Sequence, residues 1–408
     1  METMLDRFCR YVKVETTSVE ETDKYPSSPG QLVLGKLLAE EMQALGIEDV
    51  TISEHGVVVG TIPGNVDGAP TIAWLAHVDT SPEANGKDVK PNIIRNYDGK
   101  DIVLAGDPSK IIKVSETPEL ARLKGQTVIT SDGTTLLGAD DKAGLAIVMT
   151  TATHLISNPD IKHGPIRVVF TPDEEVGRGT DKVDVASVNA IAAYTLDGEG
   201  VAGIENETFS ADQANVTIEG ANIHPGLACG KMINAIRLAG EFLEQLPKEM
   251  SPEMTKDRQP FLHPYVMQGG VSEVKIRILL RSFETPDLEE QAKILKQAAK
   301  VVMDKHPKAK VVVQIKKQYR NMKEYLAKEP RATKLATEAH RRVGLEPEFQ
   351  SIRGGTDGSR LSEMGLPTPN LSAGMHNYHS ELEFACLEQM DKAVEILTEL
   401  AKLWGQEK

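Results

Sequence analysis

Cysteine is scarce in this 408-residue chain: there are three, Cys9, Cys229 and Cys386, scattered along it and odd in number. They suit neither a disulfide framework nor a thiolate zinc site, and they match the reduced state of a cytoplasmic protein. No apolar stretch is long enough to span a bilayer, so no membrane association is expected. The opening residues, Met1-Glu2-Thr3-Met4-Leu5-Asp6, lack a basic region followed by an apolar one, and therefore do not read as a signal peptide. Basic runs are missing too. With 46 Lys and Arg against 60 Asp and Glu the formal net charge is −14, which repels nucleic acid with no local patch to compensate. Internal repeats and low-complexity segments are also absent.

What is present is an ordinary globular composition, 40% hydrophobic and 26% charged. The length exceeds what one core usually serves, so two domains are expected. Ser27-Ser28-Pro29-Gly30 leads into a helical pattern over 31–45 that stops at Gly46. Short apolar runs follow at 56–62, 71–76, 166–170 and 192–196, with a helical pattern at 142–156. Strands alternating with helices predict an α/β domain, its mostly parallel sheet covered by helices on both faces. From about Ser210 the texture changes. Strand patterns at 214–218, 274–280 and 310–315 alternate with helical patterns at 231–246 and 288–303, which suits a two-layer α+β module. The expected organisation is a discontinuous catalytic domain, 1–209 and 320–408, interrupted by an inserted domain at 210–319.

The informative residues sit where predicted strands end. Trp74-Leu75-Ala76 runs into His77-Val78-Asp79-Thr80, and Val168-Val169-Phe170 into Thr171-Pro172-Asp173-Glu174-Glu175. Ala193-Tyr194-Thr195-Leu196 runs into Asp197-Gly198, and a late strand into Met375-His376-Asn377-Tyr378-His379. The loop Leu137-Gly138-Ala139-Asp140-Asp141 opens a helix. Ligands of an open α/β sheet gather outside the carboxyl ends of its strands, so these segments should converge. Clustered carboxylates would protonate unless a cation made their ionised forms favourable. Two histidines with several carboxylates and no thiolate suit zinc, with cobalt or manganese as substitutes. His77, Asp140, Glu175, Asp197 and His379 supply enough ligands for two adjacent metals, one ligand being shared. Which metal each ligand takes is left open by spacing alone. Asp79, two residues beyond His77, can accept the second imidazole N–H. Glu174 is placed to take a proton from the attacking water and hand it to the leaving amine.

Taken together, Ala76-His77-Val78-Asp79-Thr80, Leu137-Gly138-Ala139-Asp140-Asp141-Lys142-Ala143-Gly144, Thr171-Pro172-Asp173-Glu174-Glu175-Val176-Gly177 and Tyr194-Thr195-Leu196-Asp197-Gly198 resemble the aminoacylase and peptidase T family of co-catalytic dizinc exopeptidases. Ile223-His224-Pro225-Gly226, Ile352-Arg353-Gly354-Gly355-Thr356-Asp357-Gly358 and Asn377-Tyr378-His379 continue the likeness in order through the chain. The resemblance implies two Zn2+ bridged by Asp140, with His77 and Asp197 completing one site and Glu175 and His379 the other. It implies Glu174 as general base and Asp79 as the partner of His77. It makes the insert a lid, used for dimerisation, whose His224 helps stabilise the tetrahedral intermediate. Arg353 falls in the family's substrate loop, where an arginine can grip a peptide's C-terminal carboxylate; Arg281, ending a predicted strand of the insert, is a second candidate. The implied activity is removal of the N-terminal residue from short peptides, tripeptides foremost, in the cytoplasm. Three departures bear on peptide length. Ser282-Phe283-Glu284 follows Arg281 in place of an Asp-Phe-Asp-like stretch, Ser380 follows His379 where Gly is common, and His376 is an extra histidine.

Rival readings within the same chemistry are a dipeptidase, a carboxypeptidase or an N-acyl amino acid hydrolase. A two-metal phosphoesterase is disfavoured by the surplus base Glu174 and the lack of a cationic phosphate cluster. A binding protein without catalysis is disfavoured because Glu174 and every proposed ligand are present.

Overall fold

The structure, a computed structural model, describes residues 2–408. The chain divides into two compact units: Met1–Asn206 with Glu324–Gln350 and Thr356–Lys408, and Glu207–Lys323 with Ser351–Gly355. Among the described residues, no helix is long and apolar enough to cross a membrane.

The first unit is built on a mixed sheet. Its path runs Glu48–Ile52, Val58–Ile62, Ile166–Thr171, Ile72–His77, Ala192–Glu199, Asn370–His376, Phe384–Cys386, Val128–Thr130 and Asn92–Ile94. The four strands at its centre, from Ile166–Thr171 to Asn370–His376, are mutually parallel, while the flanking pairs are antiparallel. Strand alternation gives the sheet two apolar faces. Ile72, Trp74 and Ala76 enter one core with the helices Met4–Tyr11, Pro29–Leu45, Ala139–Ser157 and Leu387–Trp404. Ala73 and Leu75 enter another with Val183, Val188, Leu361 and Leu366 on the opposite side. A central parallel strand buried on both faces must be apolar throughout, as Ile72–Ala76 is. The α/β architecture expected from the alternating pattern is the one observed.

Helix Pro29–Leu45 begins and ends on its sequence signals, with Pro29 at the first position and Gly46 left-handed at φ 85°. Helix Ala139–Ser157 starts three residues earlier than its apolar pattern, at the loop that carries Asp140 and Asp141.

The second unit is a four-stranded antiparallel sheet in the order Phe261–Gly269, Glu273–Ser282, Ser210–Glu219, Lys310–Tyr319. Helices Ala235–Leu243 and Asp287–Lys305 cover one face, burying Ala214, Val216 and Ile218 against Leu238, Phe242 and Leu295. The Phe261–Gly269 strand escapes sequence reading because Pro264 interrupts it. It is tolerated because the strand lies at the sheet edge, where the register slips between Pro264 and Val266. Segment Ser351–Gly355 joins this unit through its contacts: Phe209 N–H donates to the Ile352 carbonyl at 3.1 Å, and Arg353 packs beside Phe209 and Phe261.

Candidate active site

All four central strands deliver functional groups from their carboxyl ends. His77 is the last residue of its strand and pairs in register with Thr171, so the loop carrying Glu174 and Glu175 leaves the sheet beside it. Asp197 lies near the end of Ala192–Glu199, and His379 three residues past Asn370–His376.

Asp140 stands between the two imidazoles. Its Oδ1 is 2.9 Å from His77 Nε2, and its Oδ2 is 3.3 Å from His379 Nε2. His77 Nε2 also lies 3.6 Å from Asp197 Oδ1, while His379 Nε2 lies 2.9 Å from Glu175 Oε2. The five residues singled out as ligands are therefore brought together in one cluster, as two groups sharing Asp140. Ligand atoms of His77, Asp140 and Glu175 all lie within 4.8 Å of one another, and so do those of His77, Asp141 and Asp197. In that second group Asp141 is the weaker donor to a cation. Its two oxygens already accept the backbone N–H groups of His77 and Gly144, each at 3.1 Å.

Burial and mutual charge set the protonation of this cluster. Burial opposes charge on His77, yet its hydrogen bonds to Asp140, Asp197 and Asp79 outweigh it and lift its pKa well above the ordinary value. Burial opposes charge on His379 as well, yet its hydrogen bonds to Asp140 and Glu175 outweigh it and raise it to about 11. Asp140, despite burial, is pulled below the usual carboxylate range by the same two imidazoles. Its neighbours go the other way: burial and then the Asp140 charge push Glu175 up to about 8 and Asp197 up to about 7. Burial raises Glu174 too, with Asp197 and Asp357 adding to the effect. The protein's own groups leave this many carboxylates uncompensated. Divalent cations fit the donor set: imidazole and carboxylate without thiol, with Glu175 Oε1 buried and lacking a hydrogen-bond partner.

Several carboxylates and an amide hold the ligand loops. Asp79 accepts the backbone N–H groups of Glu174 at 3.0 Å and Glu175 at 3.1 Å; His77 Nδ1 lies 3.1 Å from the Asp79 backbone carbonyl and 3.4 Å from its Oδ1. Asn370 Oδ1 accepts the Asp197 N–H at 2.9 Å. Glu383 accepts N–H groups from Leu137, Gly138 and Asp140. Asp357, at the start of helix Asp357–Glu363, accepts the Thr171 hydroxyl at 2.7 Å. Asp141, Asp357, Asn370 and Glu383 were missed by sequence reasoning. Asp141 and Asp357 lay inside motifs already singled out, while Asn370 and Glu383 carried no local signal. His376, the extra histidine, is buried, stacked on Phe384 at 4.7 Å and bonded to Gln389 Oε1 at 2.8 Å.

The three residues expected to bind substrate lie in the second unit. His224 is exposed and accepts the Gly226 N–H at 3.2 Å, capping the short turn Pro225–Leu227. Arg281 is buried, donating to the carbonyls of Asp212 at 3.1 Å and Leu280 at 3.0 Å, over the Tyr319 ring. Arg353 donates to the Asp257 carbonyl at 2.8 Å and to Thr255 Oγ1 at 3.0 Å.

A parallel sheet whose strand ends gather imidazoles and carboxylates around one shared aspartate defines a metal-dependent hydrolase. The chain belongs to peptidase family M20/M25/M40, whose model matches residues 132–403. It is 47% identical over 404 residues to Peptidase T of Geobacillus thermodenitrificans, covering 99% of this chain and 98% of that one. It is 44% identical over 406 residues to Peptidase T of Clostridium botulinum, covering 99% of this chain and all of the relative. A solved aminopeptidase from Bacillus cereus superposes with a TM-score of 0.76 at 25% identity, covering 99% of this chain and 98% of the other.

Proposed function

We propose that this protein is an aminopeptidase that releases the N-terminal residue of short peptides, tripeptides foremost, using two divalent cations, zinc in the first instance. The observation that carries the reading is the placement of Asp140, with one carboxylate oxygen toward each imidazole. His77, Asp140 and Asp197 would hold one cation, and Asp140, Glu175 and His379 the other. Bound there, the cations would neutralise the carboxylates, polarise the scissile carbonyl and make a water acidic enough to attack near neutral pH. Glu174 is the proton carrier: its carboxylate takes the proton of the attacking water and returns it to the leaving amine nitrogen. Burial raises its proton affinity, with Asp197 and Asp357 adding to the effect against His77, so it can keep the water's proton and pass it to the amine nitrogen as the C–N bond breaks. Asp79 orients His77 and, through two backbone N–H groups, the segment bearing Glu174.

The same reading makes the second unit a lid and a surface for homodimerisation. It gives His224, Arg281 and Arg353 the task of meeting the substrate, and it places the enzyme in the cytoplasm. Four substrates test it: a free tripeptide, its C-terminal amide, its N-acetyl form and a hexapeptide. The free tripeptide should be cleaved with the highest kcat/KM, and blocking its amine should all but stop hydrolysis. Loss of one charge-assisted contact to the carboxylate should cost the amide roughly 1.5–3 kcal/mol. Equal rates on all four would refute the aminopeptidase reading, and preference for the N-acetyl form would favour an acylase.

A further inference from the structure

Glu383 has no assigned role in the chemistry, yet its side chain is 1% exposed and fully engaged. Its Oε2 accepts the backbone N–H groups of Leu137 at 2.8 Å and Gly138 at 2.7 Å, and its Oε1 that of Asp140 at 3.0 Å. Three backbone N–H donors thus converge on one buried carboxyl group, and both of its oxygens are used as acceptors. Glu383 also closes the turn that follows His379. Its own N–H donates to the Ser380 carbonyl at 3.2 Å, and Ser380 Oγ donates to the Asn377 carbonyl at 2.7 Å. One residue thus links the loop that presents Asp140 to the turn that presents His379.

We propose that Glu383 is a positioning residue for the metal centre, fixing the distance between Asp140 and His379 through the three N–H bonds of the 137–140 loop. The proposal rests on the reading of Asp140 and His379 as cation ligands. A ligand pair set at the right spacing loses less freedom when the cation binds, so removing its support should appear first in affinity. Glutamine in place of Glu383 keeps the size but loses the charge. It also turns an NH2 group toward backbone N–H donors, and at least one of the three bonds must fail.

The test uses the full-length protein, stripped by chelation and titrated with Zn2+ in a calorimeter, with Co2+ absorption as a reporter of ligand geometry. Glu388→Gln is the control for loss of a carboxylate as such, because the exposed Glu388 accepts the Thr127 N–H at 2.8 Å away from the ligand cluster. Glu383→Gln should weaken binding of at least one cation by about 10–100-fold and shift the Co2+ bands, with Glu388→Gln close to wild type. Saturating Zn2+ should restore much of its kcat. Wild-type affinity and bands in Glu383→Gln, or equal losses in both variants, would overturn the proposal. Failure of the wild type itself to bind Zn2+ would instead sink the underlying metal reading. Should Glu383→Gln not fold, Glu383→Asp replaces it, keeping the charge but withdrawing the carboxylate by one methylene. Unchanged affinity there would also overturn the proposal.

Discussion

Oδ1 of Asp79 accepts the backbone N–H of Glu174 at 3.0 Å, so the residue that faces one imidazole also fixes the backbone of the proposed base. Asp79→Asn keeps an oxygen for one of these bonds but loses the charge opposite His77. The expected result is a fall of about 10–100-fold in kcat/KM at saturating metal, with Asp79→Ala worse. Steady-state kinetics on a tripeptide checks this; an Asn variant at wild-type rate would remove Asp79 from the mechanism.

Adjacent Glu174 and Glu175 should separate cleanly. Glu174→Gln is expected to bind two cations with near-normal affinity while kcat drops about 10²–10⁴-fold. Glu175, whose Oε2 lies 2.9 Å from His379, should instead register as weakened cation binding when changed to Gln. Calorimetry paired with turnover distinguishes the two, and a swapped pattern would reverse the assignments.

Metal-free protein should lose stability as pH rises. Glu175 moves from an ordinary 4.5 to about 8, and Asp197 from 3.8 to about 7, so the folded state holds protons that the unfolded chain has released. A raised carboxylate pKa stabilises fully below the unfolded value and ceases to do so above the folded one; the windows are therefore about pH 4.5 to 8 for Glu175 and about 3.8 to 7 for Asp197. His379, raised to about 11, extends the decline upward, and Asp140 acts oppositely only below its ordinary 3.8. Each group inside its window contributes roughly 1.4 kcal/mol per pH unit. Melting temperatures of the chelated protein should fall between pH 5 and pH 8, and the rise on adding Zn2+ should be larger at pH 8. A flat or rising profile for the chelated protein would contradict the electrostatics described.

A fourth expectation concerns the scaffold alone. Trp404 Nε1 donates to the Tyr194 hydroxyl at 2.8 Å, which donates onward to the Ala332 carbonyl at 2.8 Å, all of them buried. Tyr194→Phe leaves a buried N–H and a buried carbonyl unpaired, at a cost of roughly 1–3 kcal/mol. Denaturant unfolding should show that loss while Zn2+ affinity stays unchanged.

The residues proposed as ligands stood out in the sequence because most of them follow a short apolar run, and a strand end is a local signal. His77, Glu175 and Asp197 all lie at such ends, and the parallel sheet does the rest. The residues that hold those loops could not be read. Glu383 meets the Asp140 loop across a sequence separation of 243 residues, and Asn370 meets Asp197 across 173. Their partners are backbone N–H groups, which every non-proline residue carries, so no side-chain pattern announces them. The edge strand Phe261–Gly269 was hidden for a different reason, since Pro264 breaks the signature that central strands show.

Asp140 is shared between a histidine early in the chain and one near its end, and this has a consequence for biogenesis. Synthesis must proceed past His379 before that residue can close the second group with Asp140 and Glu175. Contacts this distant in sequence form late in folding. An unfinished or clipped chain would thus carry a crowd of repelling acids and no complete pair of cation seats. Full metal occupancy would then report that synthesis had passed His379.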